Sequence, residues 1–154
     1  MAYIRCGLNK FTLVDDEDYD YLNKYKWFSN KQGYVYCKKV GNIIVQMHRM
    51  IMQPCKDQEI DHKNGNPLDN RKCNLRYCTR AQNCRNTKLR ETSKIKYKGV
   101  SKIDNGFMAR IRLNYIEHYL GYFKTKEGAA KAYDRVATKY HGEFAKTNKM
   151  LGLL

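Results

Sequence analysis

Between Arg71 and Arg90 the chain carries seven Arg or Lys side chains and no acid. A surface of that kind repels itself unless an anion lies against it, so this stretch limits how the rest of the chain can be arranged. The bias runs well beyond it. Five acids (Asp15, Asp16, Glu17, Asp18, Asp20) sit in one early cluster, and from residue 21 onward 28 Lys plus Arg stand against 10 Asp plus Glu, an excess of 18. Nucleic acid is the usual partner of such a field; an anionic membrane or plain solubility are the rival readings. The 154 residues are 42% hydrophobic, enough to pack one ordinary domain or two small ones. The aromatic share is mainly Tyr, 13 against 5 Phe, which suits a surface that meets a polar partner.

No apolar run approaches the length of a spanning helix, and Met1-Ala2-Tyr3-Ile4-Arg5 lacks the core of a signal peptide. The expectation is a protein with no membrane partner, made and used inside a cell. Cys6, Cys37, Cys55, Cys73, Cys78 and Cys84 contain no Cys-x-x-Cys pair. Free thiols in a reducing compartment account for them better than disulfides, and no zinc is expected.

The chain reads as α+β. Residues 1–53 read as strands and turns, with a hairpin through Gly33-Tyr34-Val35-Tyr36-Cys37, Gly41-Asn42 and Ile43-Ile44-Val45. Pro54 ends the segment His48-Arg49-Met50-Ile51-Met52. Residues 54–90 hold the densest polar pattern, and 91–96 read as a short linker. Residues 97–148 read as three strands and a helix. The strands are Tyr97 to Lys102, Phe107 to Leu113 and His118 to Phe123, with Asp104-Asn105-Gly106 as a turn that tolerates positive φ. In the second strand Phe107, Ala109, Ile111 and Leu113 take one face; Met108, Arg110, Arg112 and Asn114 take the other. Thr125 is a good N-cap, Ala129, Ala130, Tyr133, Ala137 and Tyr140 give an apolar stripe, and Gly142 is a stop.

Chemistry concentrates in Glu59-Ile60-Asp61-His62-Lys63-Asn64-Gly65-Asn66-Pro67-Leu68-Asp69-Asn70, then Asn74-Leu75-Arg76, then Thr79-Arg80-Ala81-Gln82-Asn83-Cys84-Arg85-Asn86. Asp61 and His62 are strand neighbours and point to opposite sides. One can reach a metal while the other reaches an attacking water. Gly65 lets the chain reverse. Thr79-x-x-Gln82 is a capping-box pattern that starts a helix, placing Asn83 in its first turns, where a phosphate is welcome. Each residue alone has a plain rival, as a surface His beside a turn or as a loop or cap Asn or Asp. It is the constellation that points to catalysis.

From about Val14 through Asn86, including the lead-in His48-Arg49, the chain resembles the HNH endonucleases, of the small, often phage-borne homing type. The resemblance implies a ββα-metal nuclease domain over residues 1–90, with a β-rich lead-in (1–53) and a metal core (54–90). It implies His62 as general base and Asp61 and Asn83 as ligands of one divalent ion, Mg²⁺ or alternatively Mn²⁺, which stabilises charge on the phosphorane and the departing 3′ oxygen. Asn74 would hold the loop through side-chain hydrogen bonds. An Asn at position 83, where His is the commoner residue, is a neutral and weaker ligand. His48 reads as structural, and His118 and His141 carry no assigned chemistry.

The segments Tyr97-Lys98-Gly99-Val100, Ala109-Arg110-Ile111-Arg112, Leu120-Gly121-Tyr122-Phe123, Ala132-Tyr133-Asp134 and Thr147-Asn148 resemble the Apetala, or ethylene-response-factor, DNA-binding domain. That resemblance implies a three-stranded sheet in the major groove over residues 97–154, with Arg112 and Tyr119 facing DNA. Ser101 and Arg110 depart from the plant pattern, so the plant target does not transfer. With the basic surround, the expected DNA contacts are Arg76, Arg80, Arg85, Lys98, Lys102, Arg110, Arg112 and Tyr119. The expectation is a site-specific endonuclease acting on double-stranded DNA in the cytoplasm of a host cell, with no protein partner required. The alternatives are a non-catalytic DNA-binding regulator with a relict nuclease fold, and an RNA-binding or RNA-cutting protein. The missing pair of stacking aromatics counts against RNA.

Overall fold

The structure, a computed structural model, describes residues 1–38, 40–87, 89, 95–113 and 116–154. The linker read at 91–96 is described only at Ile95 and Lys96, and Asn114, placed on the basic face of its strand, lies outside the described residues. The elements are mixed helix and sheet, and the chain divides into two compact units, Met1–Asn83 and Cys84–Leu154.

The first unit opens with an antiparallel hairpin, β1 (Ala2–Arg5) and β2 (Phe11–Val14), followed by helix α1 (Asp16–Leu22). A three-stranded antiparallel sheet comes next: β3 (Trp27–Ser29), β4 (Val35–Lys38) and β5 (Ile44–Gln46), in that order. Helix α2 (Met47–Met52) leads to the hairpin β6 (Glu59–His62) and β7 (Leu75–Cys78), and α3 (Arg80–Arg85) follows at the boundary of the unit. Ile4, Cys6, Val14, Leu22, Trp27, Val35, Cys37, Met47 and Met50 form one buried cluster. The Trp27 indole N–H is satisfied inside it by the Leu22 carbonyl at 2.8 Å.

Among the described residues two α-helices lie within 1–53: α1 in a stretch that the sequence reads as strands and turns, and α2 over the segment that the sequence leaves unassigned before Pro54. The acidic cluster is the reason for α1: Asp16, Glu17 and Asp18 occupy its first turn, where negative charge complements the helix dipole, and Leu22 anchors its last turn in the core. The segment His48–Met52 is α2, and Gln53, in the left-handed region at φ 46°, ends it before Pro54.

The long β6–β7 connection is pinned along β2. Leu13 N–H donates to the Leu68 carbonyl, Asn70 N–H donates to the Leu13 carbonyl, and the Thr12 hydroxyl donates to Leu68 O, each at 2.8 Å. This lays Asn70 and Asp69 against the hairpin that carries Asp61 and His62.

In the second unit β8 (Val100–Ile103), β9 (Gly106–Leu113) and β10 (Ile116–Phe123) form an antiparallel sheet in the order β10-β9-β8. Helix α4 (Lys126–His141) packs on one face through Ala129, Ala130, Ala132, Tyr133 and Ala137 against Val100, Ala109 and Ile111. Thr125 caps α4 by accepting from Gly128 N–H at 3.1 Å, and Gly142 at φ 52° ends it. Asn148, fully buried, ties the C-terminal segment down. Its amide donates to Asp134 at 2.9 Å and to the Lys98 carbonyl at 3.1 Å, and its Oδ1 accepts from Lys98 N–H.

Three details differ from the sequence reading. The first strand begins at Val100 rather than Tyr97, because Gly99 sits at φ 73° where a Cβ would lie 1.9 Å from the Tyr133 ring. The β8–β9 turn is Asp104-Asn105 without positive φ at Asn105 or Gly106; Gly106 is needed because a Cβ there would strike Tyr122 and the Phe123 carbonyl. Tyr140 is 55% exposed, and His141, one i+4 step beyond Ala137, takes the last buried position of the stripe.

Candidate functional site

Strand alternation decides what β6 can present. Glu59 and Asp61 share one face, Ile60 and His62 the other. Asp61 and His62 are both buried, at 5% and 4% exposure, so each needs a partner. Asp61 stands opposite Arg76 in the β6–β7 register, and Arg76 Nε and Nη2 lie 2.9 and 2.6 Å from Asp61 Oδ2. On the other face, His62 Nε2 lies 3.2 Å from Asn70 Oδ1.

The surroundings of Asn70 assign the histidine tautomer. Asn70 Nδ2 donates to Thr12 Oγ1 at 2.8 Å and to the Pro67 carbonyl at 3.2 Å, so Oδ1 is its acceptor end. His62 Nε2 therefore carries the hydrogen, and the lone pair is on Nδ1. Burial holds the His62 pKa below its ordinary value, partly opposed by the Asn70 bond and by the Asp61 and Asp69 charges. A neutral imidazole of fixed orientation is the result.

His48 and Tyr34 complete a three-ring cluster. The His48 and His62 centroids are 5.2 Å apart and nearly perpendicular, and the Tyr34 ring is 5.9 Å from His48 and 6.0 Å from His62. Burial, together with the adjoining His62 ring and the Arg49 guanidinium, brings the His48 pKa down to about 3. An unfolded His titrates near 6.5, so below that pH the unfolded chain binds a proton that the folded one refuses. Stability is full above about pH 6.5 and falls through the window from there to about 3, by up to about 1.4 kcal/mol per pH unit. Denaturant titrations at stepped pH, wild type beside His48→Phe, check this: the wild-type loss should be steeper, and parallel curves would refute it.

The β6–β7 loop is braced by side chains. Asn74 Oδ1 accepts from Asn64 N–H at 3.0 Å, and its Nδ2 donates to the Asp69 carbonyl at 2.8 Å. Arg71 grips Asp69 with two bonds of 2.8 Å, and this lowers the Asp69 pKa. Gly65 turns the chain at φ 72°. At the start of α3, Thr79 N–H donates to Gln82 Oε1 at 2.8 Å and Gln82 N–H donates to Thr79 Oγ1 at 3.3 Å, a reciprocal capping box. Asn83 on α3 turns its amide toward β6, where Nδ2 donates to Glu59 Oε2 at 2.7 Å. Tyr34, Gln46, His48, Arg49, Glu59 and Asn83 line one cleft.

Residues 45–85, which run from within β5 to the end of α3, match the HNH endonuclease family. A relative from Acanthamoeba polyphaga mimivirus, an uncharacterised HNH endonuclease, is 35% identical over 151 residues, covering 94% of this chain and 78% of the relative. The chain belongs to the HNH endonuclease family. The likeness to the viral protein extends beyond the matched segment into both units.

HNH nucleases generally use a divalent metal, and the residues present fit one. Asp61 and Asn83 offer hard oxygen donors, and a Mg²⁺-like ion needs only one or two carboxylates because it keeps waters and takes substrate phosphates. Among the described residues no three or more His, Cys, Asp or Glu gather as a metal cluster. The Arg76 guanidinium is paired with Asp61 Oδ2. The cysteines are free thiols, and among the described residues no helix is long and apolar enough to cross a membrane.

Of the residues expected on DNA, Arg110, Arg112 and Tyr119 share one sheet face of the second unit. Arg110 is the register partner of Tyr119, and Arg112 of Glu117. Arg110 Nη1 lies 3.1 Å from Glu117 Oε1, and Tyr119 is 63% exposed. Lys102 pairs with Phe107, on the opposite face. Lys98 points inward: its ammonium donates to the Arg85 and Thr87 carbonyls at 2.6 and 2.9 Å, and burial brings its pKa down to about 8. Arg80 is exposed at the start of α3, Arg85 half-buried at its end, and Arg76 is held by Asp61. Glu59 and Asn70 stand at the two ends of the polar segment that the sequence singles out, but the sequence gives neither a role, and Tyr34 reads only as part of the lead-in hairpin. Counting back two from Asp61 puts Glu59 on its strand face; nothing local ties Asn70 or Tyr34 to His62.

Proposed function

We propose that this chain is a site-specific, homing-type DNA endonuclease that hydrolyses phosphodiester bonds with a histidine base and one divalent metal. The observation that carries this reading is the pairing on β6 of a buried carboxylate with a buried, neutral imidazole whose tautomer is set by Asn70. His62 Nδ1 takes the proton of the attacking water as the new P–O bond forms; the bond to the 3′ oxygen breaks. Asp61 and Asn83 would hold the metal, Mg²⁺ or alternatively Mn²⁺, with the hairpin β6–β7 and α3 serving as a ββα-metal core. When bound, that ion supplies charge stabilisation to the phosphorane and the leaving oxygen. Asn74 keeps the loop in shape, and Tyr34 and His48 shield one side of the base from water.

The second unit supports a DNA-reading role of the Apetala type over residues 97–154. A three-stranded sheet backed by one helix leaves a face with Arg110, Arg112 and Tyr119, and a strand pair of this width fits the major groove. Arg80 and Arg85 would supply backbone contacts. The viral relative fits action inside an infected cell.

The test is cleavage of supercoiled plasmid and viral genomic DNA. Mg²⁺-dependent nicks or breaks, abolished by EDTA and recurring at one sequence, are expected. Salt-sensitive duplex binding without cleavage under Mg²⁺ or Mn²⁺ would overturn the reading in favour of a DNA-binding regulator.

A further inference from the structure

We propose that Glu59 is the positioning residue that sets which end of the Asn83 amide meets the metal; this rests on the metal-dependent nuclease reading above. An asparagine amide has one end that ligates a hard cation, the carbonyl oxygen, and one that does not. A two-fold turn about the last side-chain bond exchanges them at little steric cost, so an Asn ligand needs a neighbour that discriminates. Glu59 is such a neighbour. Its carboxylate accepts and does not donate, and it lies 2.7 Å from Asn83 Nδ2. With Nδ2 held there, Oδ1 is the end left for a cation.

Two features make the arrangement specific. Glu59 and Asp61 are two apart on β6, so the carboxylate that orients Asn83 and the one that ligates the ion rise from the same strand face. The backbone of Asn83 is fixed independently, by its N–H to the Thr79 carbonyl at 2.9 Å and by the Thr79–Gln82 capping box, leaving only the side-chain torsions for Glu59 to set. A charged acceptor on the N–H₂ also polarises the amide and adds electron density at Oδ1, which strengthens a neutral ligand that is intrinsically weak. On this proposal Glu59 acts through Asn83 and is not itself a ligand of the ion.

The experiment is Mn²⁺ binding to the full-length, DNA-free protein by electron paramagnetic resonance, for wild type, Glu59→Ala, Glu59→Gln and Asp61→Ala, with melting temperatures measured alongside. Glu59→Ala should weaken Mn²⁺ binding by about 10–100-fold, the range for lost partners of metal ligands. Glu59→Gln loses the charge and brings an N–H₂ of its own that can pair with Oδ1, so it should also weaken Mn²⁺ binding, by no more than Glu59→Ala does. If Glu59→Ala does not fold, Glu59→Val, better suited to a strand, takes its place with the same expected loss. Wild-type affinity in Glu59→Ala would overturn the proposal. So would wild-type affinity in Glu59→Gln, because a neighbour that both donates and accepts would then serve as well as one that only accepts. Failure of the underlying metal reading is a different result: no Mn²⁺ binding by wild type, or binding indifferent to Asp61→Ala, removes both.

Discussion

His62→Ala should lower the cleavage rate by about 10²–10⁴-fold while leaving duplex binding at wild-type strength. Three features of the site support so large an effect on one step. His62 is buried and its pKa is held down by that burial, so at neutral pH it is a base and not an acid. Asn70 pins Nε2, which leaves proton acceptance to Nδ1. Asp61, its neighbour in the chain, points to the opposite face of the strand, so the proposed base and the proposed metal ligand do not compete for space. Single-turnover cleavage of a mapped target, with gel-shift binding in parallel, separates the chemical step from DNA capture. Cleavage at an undiminished rate would mean that the base lies elsewhere; His48, whose ring is 5.2 Å away, would be the next residue to replace.

Local signals carried much of this architecture. Thr79-x-x-Gln82 marked the start of α3 and Thr125 that of α4, because capping is a contact between residues three apart. The two-residue alternation of β9 assigned its apolar and basic faces correctly for the same reason. What escaped depends on partners distant in the chain. Asn70 is 58 residues from Thr12, the contact that turns its oxygen toward His62. The strand β8 starts late because Gly99 must clear a tyrosine on α4. The acidic cluster was legible as charge but not as a helix, since its amphipathic face is completed by a single buried Leu22. The opposition of Asp61 and Arg76 is likewise hidden. The loop from 63 to 74 is too long for a turn type to set the register, and it is the bracing by Asn64, Asp69 and Asn74 that does so.

That opposition yields the largest expected effect on stability. Arg76→Met should destabilise the first unit by about 3–5 kcal/mol, because it leaves the Asp61 carboxylate buried without its cation. Both side chains are at most 10% exposed, so neither solvent nor salt substitutes for the lost partner, and the small values typical of surface pairs do not apply. The pair itself need not be the source of the loss: desolvating two charges offsets most of their attraction. The double variant Asp61→Leu with Arg76→Met should therefore recover most of the stability lost in Arg76→Met alone, while remaining inactive for want of the carboxylate. Chemical denaturation of the wild type, both single variants and the double variant closes the cycle. Additive losses would show that Asp61 and Arg76 act independently, and that the guanidinium is not what holds the buried carboxylate in place. A recovery in the double variant would also explain why an arginine in a strongly basic protein is turned inward: β6 can present a buried anion at the reaction site only if β7 supplies a cation directly across from it.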